Sequence, residues 1–317
     1  MVFVFWSLSF CLLFMYRLSK DIIDTVTYYD VFDYPLSAFE IWKHLLTLQE
    51  EGVRPSSYLE VYAALRNETM CGTLLEERGF YGLRGREGLA SLRIRKEKIS
   101  AAKLRRIKQL ARLIRLFPYV RFAGATGSLS LKHGDIGSDW DLFVVLRAGK
   151  IWTGRVIMTG ILLLMGKWRH GRKVRNRACL NYFVTDESLE IGTQDLFSAH
   201  EYRFMIPLFN YPLFQKFELK NRWISRFKPN FSLSEIRPIW CVGESHRSFM
   251  IRRTCESIAD AFPLERLCAR WQKSKISRNP KTRWEGSYIE ATDRALIFLP
   301  RPRGPRVYEE FKRRLSV

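Results

Sequence analysis

The spacing of apolar residues changes character along the chain, and the changes mark its parts. From Asp21 to Tyr29, the residues Ile22, Ile23, Val26 and Tyr29 recur at helical spacing until Pro35 stops the run. Ser37 with Glu40 three positions on forms a capping box ahead of Ile41, Trp42, Leu45 and Leu46, which predicts a second helix. A third starts at Ser56 or Ser57 and runs through Leu59, Val61, Tyr62 and Leu65. Two short β-like pieces follow, Thr73 to Leu75 and Gly79 to Leu83, with Glu76 to Arg78 as the tight connection. Leu104, Ile107, Leu110, Ala111 and Ile114 then keep helical spacing among many Arg and Lys, so residues 89–118 read as a basic connecting helix ended by Pro118.

Beyond Pro118 the apolar runs become short and continuous. Val120 to Ala125 and Trp140 to Leu146 read as buried strands, and Ala178 to Val184 as a third. Ile151 to Trp168 is apolar enough to suggest a membrane span, yet it holds Arg155 and two glycines and lies between strands. It is expected to be a buried crossover helix. Past Thr185 the pattern is mostly helical, through Asp195 to Leu208, Ser234 to Cys268 and Val307 to Leu315. Trp271 to Pro305 has no clear periodicity apart from the apolar run Ala295 to Leu299.

Candidate chemistry concentrates between the first two strands. Asp139 and Asp141 stand two apart at the start of Trp140 to Leu146, so on a strand they share a face while Trp140 takes the other. Two hard oxygen ligands on one face suit Mg²⁺, which is commonly held by one or two carboxylates plus substrate phosphates. Upstream, Gly127 lets the backbone approach an anion and Ser128 can donate to it. The basic run Lys167 to Arg177, with Lys173 and Arg175, enters the third strand near this point and is expected to face substrate phosphates. His170 within it reads as a surface residue.

The order Gly127, Ser128, then Ser138, Asp139 and Asp141 resembles the nucleotidyltransferase superfamily typified by DNA polymerase β, in its minimal bacterial and archaeal form. The likeness spans Tyr119 to Val184, and departs from the family where Leu129 to His133 replace its glycine-rich run. The resemblance implies a Mg²⁺-dependent transfer of a nucleoside monophosphate from a nucleoside triphosphate to a hydroxyl acceptor, whether RNA, protein or a small molecule. It also implies a third metal ligand on a later strand, where Asn181 stands, with Asp186 and Glu187 as substitutes. An asparagine cannot serve as a base, so a nucleotide-binding or regulatory protein without transfer activity is one alternative, and a winged-helix module associated with nucleic acid is another. Similarly, the segment YYDVFDYPLSAFEIW resembles the start of bacterial proteins that join a winged-helix module to such a domain.

The expected fold is therefore α+β. A winged-helix-like module occupies residues 20–88, the nucleotidyltransferase core with its mixed sheet residues 119–189, and a mainly helical region residues 190–317. The third helix of the first module offers only Arg66 as a cation and carries Glu60, which favours protein contact or packing over reading DNA.

Composition adds partners and compartment. Fifty-three Lys and Arg against 32 Asp and Glu give a net charge of +21 over 317 residues, a field that favours nucleotides, nucleic acid or an anionic membrane surface. Six cysteines without Cys-x-x-Cys spacing or paired histidines point away from zinc and toward reduced thiols in the cytoplasm. Residues 1–16 are almost wholly apolar, short of the roughly 20 that a spanning helix needs, and leave open an anchor, a mis-called start or an apolar extension.

Overall fold

The computed structural model describes residues 2–48, 54–232 and 238–316, with side chains from residue 14 onward apart from Glu68, Thr69 and Cys71. Helix α1 (Val2–Asp30) leads into the two-residue strand β1 (Leu36–Ser37), α2 (Ala38–Lys43), α3 (Tyr58–Leu65) and α4 (Glu68–Thr73). The expected capping box of Ser37 with Glu40 starts α2, and a second, of Ser57 with Glu60, starts α3. Strands β2 (Leu74–Glu77) and β3 (Phe80–Leu83) turn at Arg78 and Gly79, both in the left-handed region, so the hairpin bends two residues later than the sequence pattern suggests. With β1 added to β3, the module is a set of helices on a three-stranded sheet, closed around Ile22, Tyr29, Leu36, Ile41 and Val61.

The connecting helix α5 spans Leu89–Ile114 and delivers the chain to a six-stranded mixed sheet. Its first strand β4 (Val120–Ala125) is followed by the four-residue helix α6 (Gly127–Ser130) and then by β5 (Trp140–Leu146). Helix α7 (Ile151–Leu164) crosses over to β6 (Ala178–Thr185), which runs parallel to β5. The apolar segment is thus a crossover that buries Ile151, Trp152, Met158 and Leu162. Among the described residues no helix is long and apolar enough to cross a membrane. The side chains of residues 1–13, on which the anchor reading rests, lie outside those described.

Downstream come α8 (Leu196–Arg203), strand β7 (Ile206–Pro207), α9 (Tyr211–Lys220), a 3₁₀ turn at Arg222–Arg226, α10 (His246–Asp260) and α11 (Leu264–Ser277). The last part differs from expectation. Tyr288–Ala291 and Ala295–Leu299 form strands β8 and β9 before the closing helix α12 (Gly304–Leu315), and β9 pairs with β6 to give the order β7-β4-β5-β6-β9-β8. The C-terminal third therefore completes the sheet instead of only covering it. The short, half-exposed β8 has no run of apolar residues to reveal it.

Alternation along β5 divides the core. Trp140, Leu142, Val144 and Leu146 face one layer with Leu104 and Ile107 of α5 and Met158 of α7. Phe143 and Val145 face the other, with Tyr202 of α8 and Phe217 of α9. Asp139 and Asp141 share the parity of Phe143, which aims them at the α8 side.

Candidate active site

Residues from five elements meet at the mouth of β5. A Cβ built on Gly127 would lie 2.6 Å from the Oδ2 of Asp141, so the glycine bend and the acid pair are in contact. Gly127 also has a φ of +67°, a conformation that glycine adopts without the cost other residues carry. The bend is held from the far side: the Gly127 amide donates to Glu201 Oε1 at 2.6 Å. Ser128 follows on α6, half-buried, with its carbonyl accepting from the His133 amide at 2.8 Å.

Ser138 is fixed by the connecting helix. Lys103 of α5, itself buried, donates from Nζ to the Ser138 carbonyl at 2.6 Å and to its Oγ at 2.8 Å. Burial pulls the Lys103 ammonium below its usual range while the Asp139 charge pulls the other way. One residue of the basic helix thus reaches the site.

The register places Cys179 of β6 beside Asp141. Asn181 falls within the irregularity that follows, where β6 places two residues between Cys179 and Tyr182 against one on β5. The place across from the acid pair therefore belongs to Cys179, two residues before the position the resemblance suggested. Ligand atoms of Asp139, Asp141 and Cys179 all lie within 4.8 Å of one another. Asp186 and Glu187 stand at the other end of β6, where Asp186 Oδ1 accepts from the Ala148 amide at 2.9 Å. They cannot complete this site.

Of the basic run, Arg169 makes the contact. Its Nη1 lies 2.6 Å from Asp139 Oδ2 and 3.3 Å from Cys179 Sγ. Lys173 and Arg175 are exposed; Lys173 belongs to a reverse turn that pairs with the His170 backbone, and Arg175 is near enough to Lys103 to oppose its charge. His170 stacks on Trp168, with ring centroids 5.4 Å apart.

Three ionisable groups are displaced by this crowding. Burial, then the neighbouring Asp139 charge, raises the Asp141 carboxyl to about 6. Burial and Asp141 together raise Glu201 to about 7, against the opposing hydrogen bond from Gly127. Burial and the two aspartates push the Cys179 thiol up to about 12. Arg303, at the start of α12, lowers both Asp141 and Glu201 through its charge.

A hard divalent cation fits Asp139 and Asp141, two carboxylates on one face. A protonated thiol does not suit Mg²⁺, which leaves Cys179 beside the ligand pair. Glu201 and Arg303 carry no motif signal because each arrives from an element remote in sequence, whereas Arg169 belongs to the basic run expected to face the site. Glu201 lies in the helical stretch Asp195 to Leu208. Compared with protein-family models, curated proteins and solved structures, the chain matches none of them.

Proposed function

We propose that the protein is a metal-dependent nucleotidyltransferase that moves a nucleoside monophosphate from a nucleoside triphosphate to a hydroxyl acceptor. The observation that carries this reading is the contact between Gly127 and Asp141, which sets a backbone bend against a pair of carboxylates that one strand aims the same way. Asp139 and Asp141 would hold Mg²⁺, whose chemistry is to neutralise the phosphates and the charge that develops in transfer. Ser128 would donate to a phosphate oxygen, and Lys103 holds Ser138 so that the strand mouth keeps its shape. Arg169 is placed to exchange its ion pair with Asp139 for a substrate phosphate. Asn181 plays no part in this scheme.

A second reading is supported by Cys179. A thiol where a third carboxylate would stand, and a Gly127 amide already given to Glu201, suit a protein that binds nucleotide without transferring it. Incubation with Mg²⁺, labelled nucleoside triphosphates and a mixed pool of RNA and protein acceptors separates the two. The first reading expects transferred label that falls at least about 100-fold in Asp139→Ala and in Asp141→Ala. Nucleotide bound with no label transferred selects the second. Retention on DNA that ignores both substitutions and weakens steeply with salt would overturn each.

A further inference from the structure

Between the N-terminal module and the sheet lies a cleft of about 420 Å³ that the acid pair does not line. Its walls bring Lys43 from α2, Arg93 from α5, Lys132 from just after α6 and Arg203 from α8 around a single carboxylate, Glu40. Glu40 is already engaged. It accepts from Arg93 Nη2 at 2.6 Å, from the Ser37 amide at 3.0 Å and from Ser37 Oγ at 2.9 Å. Arg93 is spent in the same pairing and in a further bond to the Pro35 carbonyl, and it packs over the rings of Tyr34 and Phe80.

Three cations from three elements are left facing one space. Burial lowers the Lys43 ammonium, and the Arg203 and Lys132 charges lower it further. Arg203 has Glu218 near enough to temper its charge and Phe231 beneath its guanidinium, yet its buried Nε has no hydrogen-bond partner. His44, 5% exposed on the same wall, has an unpartnered Nδ1. Two aromatic faces stand beside these groups: Phe39, 52% exposed, and Phe204.

We propose that this cleft is a binding site for a flat aromatic anion of the size and charge of a nucleoside monophosphate. The anionic group meets Lys43, Lys132 and Arg203, where it supplies the counter-charge the protein lacks, and the ring packs on Phe39 and Phe204. Four hundred cubic ångströms falls in the usual range for small-molecule sites. The site is independent of the acid pair and stands or falls without the transferase reading.

The test uses the full chain in EDTA, where no divalent cation draws phosphate to the carboxylates. Calorimetric titration with AMP, adenosine and inorganic phosphate should show AMP binding at least about tenfold more tightly than either fragment. The Lys43→Met/Lys132→Met variant, which removes one exposed and one half-buried cation, should weaken AMP at least tenfold without lowering the melting temperature. AMP that does not bind, AMP indifferent to the double variant, or a fragment that binds as well as AMP would each overturn the proposal.

Discussion

The mouth of β5 and the cleft behind it are two like-charge clusters of opposite sign, separated by very little chain. Helix α8 separates them. Glu201 and Arg203 are two positions apart, which on a helix sends side chains to nearly opposite faces. One therefore joins the acids and the other the cations. Helix α6 also borders both regions, with Gly127 against Asp141 and Ser130 lining the cleft. The difference lies in how each cluster bears its repulsion. In the acid site, burial and proximity hold carboxyls partly protonated near neutral pH, with Asp141 at about 6 and Glu201 at about 7. In the cleft, burial and the Arg203 charge lower Lys43, with Lys132 adding to the effect and Glu40 opposing it. The acids are shifted far enough to shed charge near pH 7 because burial and a like charge act on them together. On the two proposals above, the acid site should answer to pH and to a cation, the cleft to an anion.

The largest stability effect should come from removing the charge of Glu201. Its folded value lies above its unfolded one, so the folded state prefers the protonated form. The associated stability is complete below about 4.5 and is lost as pH rises through about 7. Glu201→Gln keeps an oxygen to accept from the Gly127 amide and cannot ionise. In metal-free protein it should be more stable than the parent at pH 8 by on the order of 3 kcal/mol, with little difference at pH 4. Melting temperatures across that range check it. A parent curve as flat as the variant's between pH 4 and 8 would show that Glu201 is not strained, and the contrast between the two clusters would fail.

Gly127→Ala should cost about 2 kcal/mol, since alanine at a φ of +67° is strained and its Cβ displaces the Asp141 carboxylate. Chemical denaturation measures it. Gly137→Ala, in the same loop with nothing within 4 Å of an added Cβ, is the control and should stay near the parent.

What the sequence revealed and what it hid follow one line. Local signals held: the Ser37 and Ser57 caps, the amphipathic period that spans α5, and the Asp139/Asp141 pair on one face. Each depends on residues a few positions apart. The third place beside the acids was misassigned to Asn181 because strand register is set by pairing, and a single irregularity between Asp141 and Phe143 shifts it. Glu201 and Arg303 approach through α8 and α12, whose positions depend on the whole core. Strands β8 and β9 were hidden for a related reason: β9 is apolar but brief, and β8 has meaning only as its partner.

On the cleft side, Lys132→Asn sharpens the comparison with a smaller effect. Lys132 holds a φ of +56° and its charge opposes Lys43. Asparagine tolerates that backbone better and carries no charge, so stability at pH 8 should rise by roughly 0.5–1 kcal/mol. The gain should shrink with added salt, because Lys132 is exposed. A gain equal at low and high salt would assign it wholly to the backbone.

The smallest effect concerns Arg169, which supplies the acid site with a cation of its own. Its guanidinium is 44% exposed at the side chain, so its pair with Asp139 contributes little to folding, and Arg169→Ala should alter stability by less than about 1 kcal/mol. The consequence should appear in metal binding. Arg169 and a divalent cation compete for the same Asp139 oxygen, and removing the competitor should tighten Mg²⁺ binding a few-fold in the absence of nucleotide. With a triphosphate present the sign should reverse, since the arginine is then lost as a phosphate ligand. Calorimetry with Mg²⁺ alone and then with nucleotide distinguishes the two. Weaker Mg²⁺ binding by the variant without nucleotide would mean that Arg169 orients Asp139 for the metal and does not occupy its place.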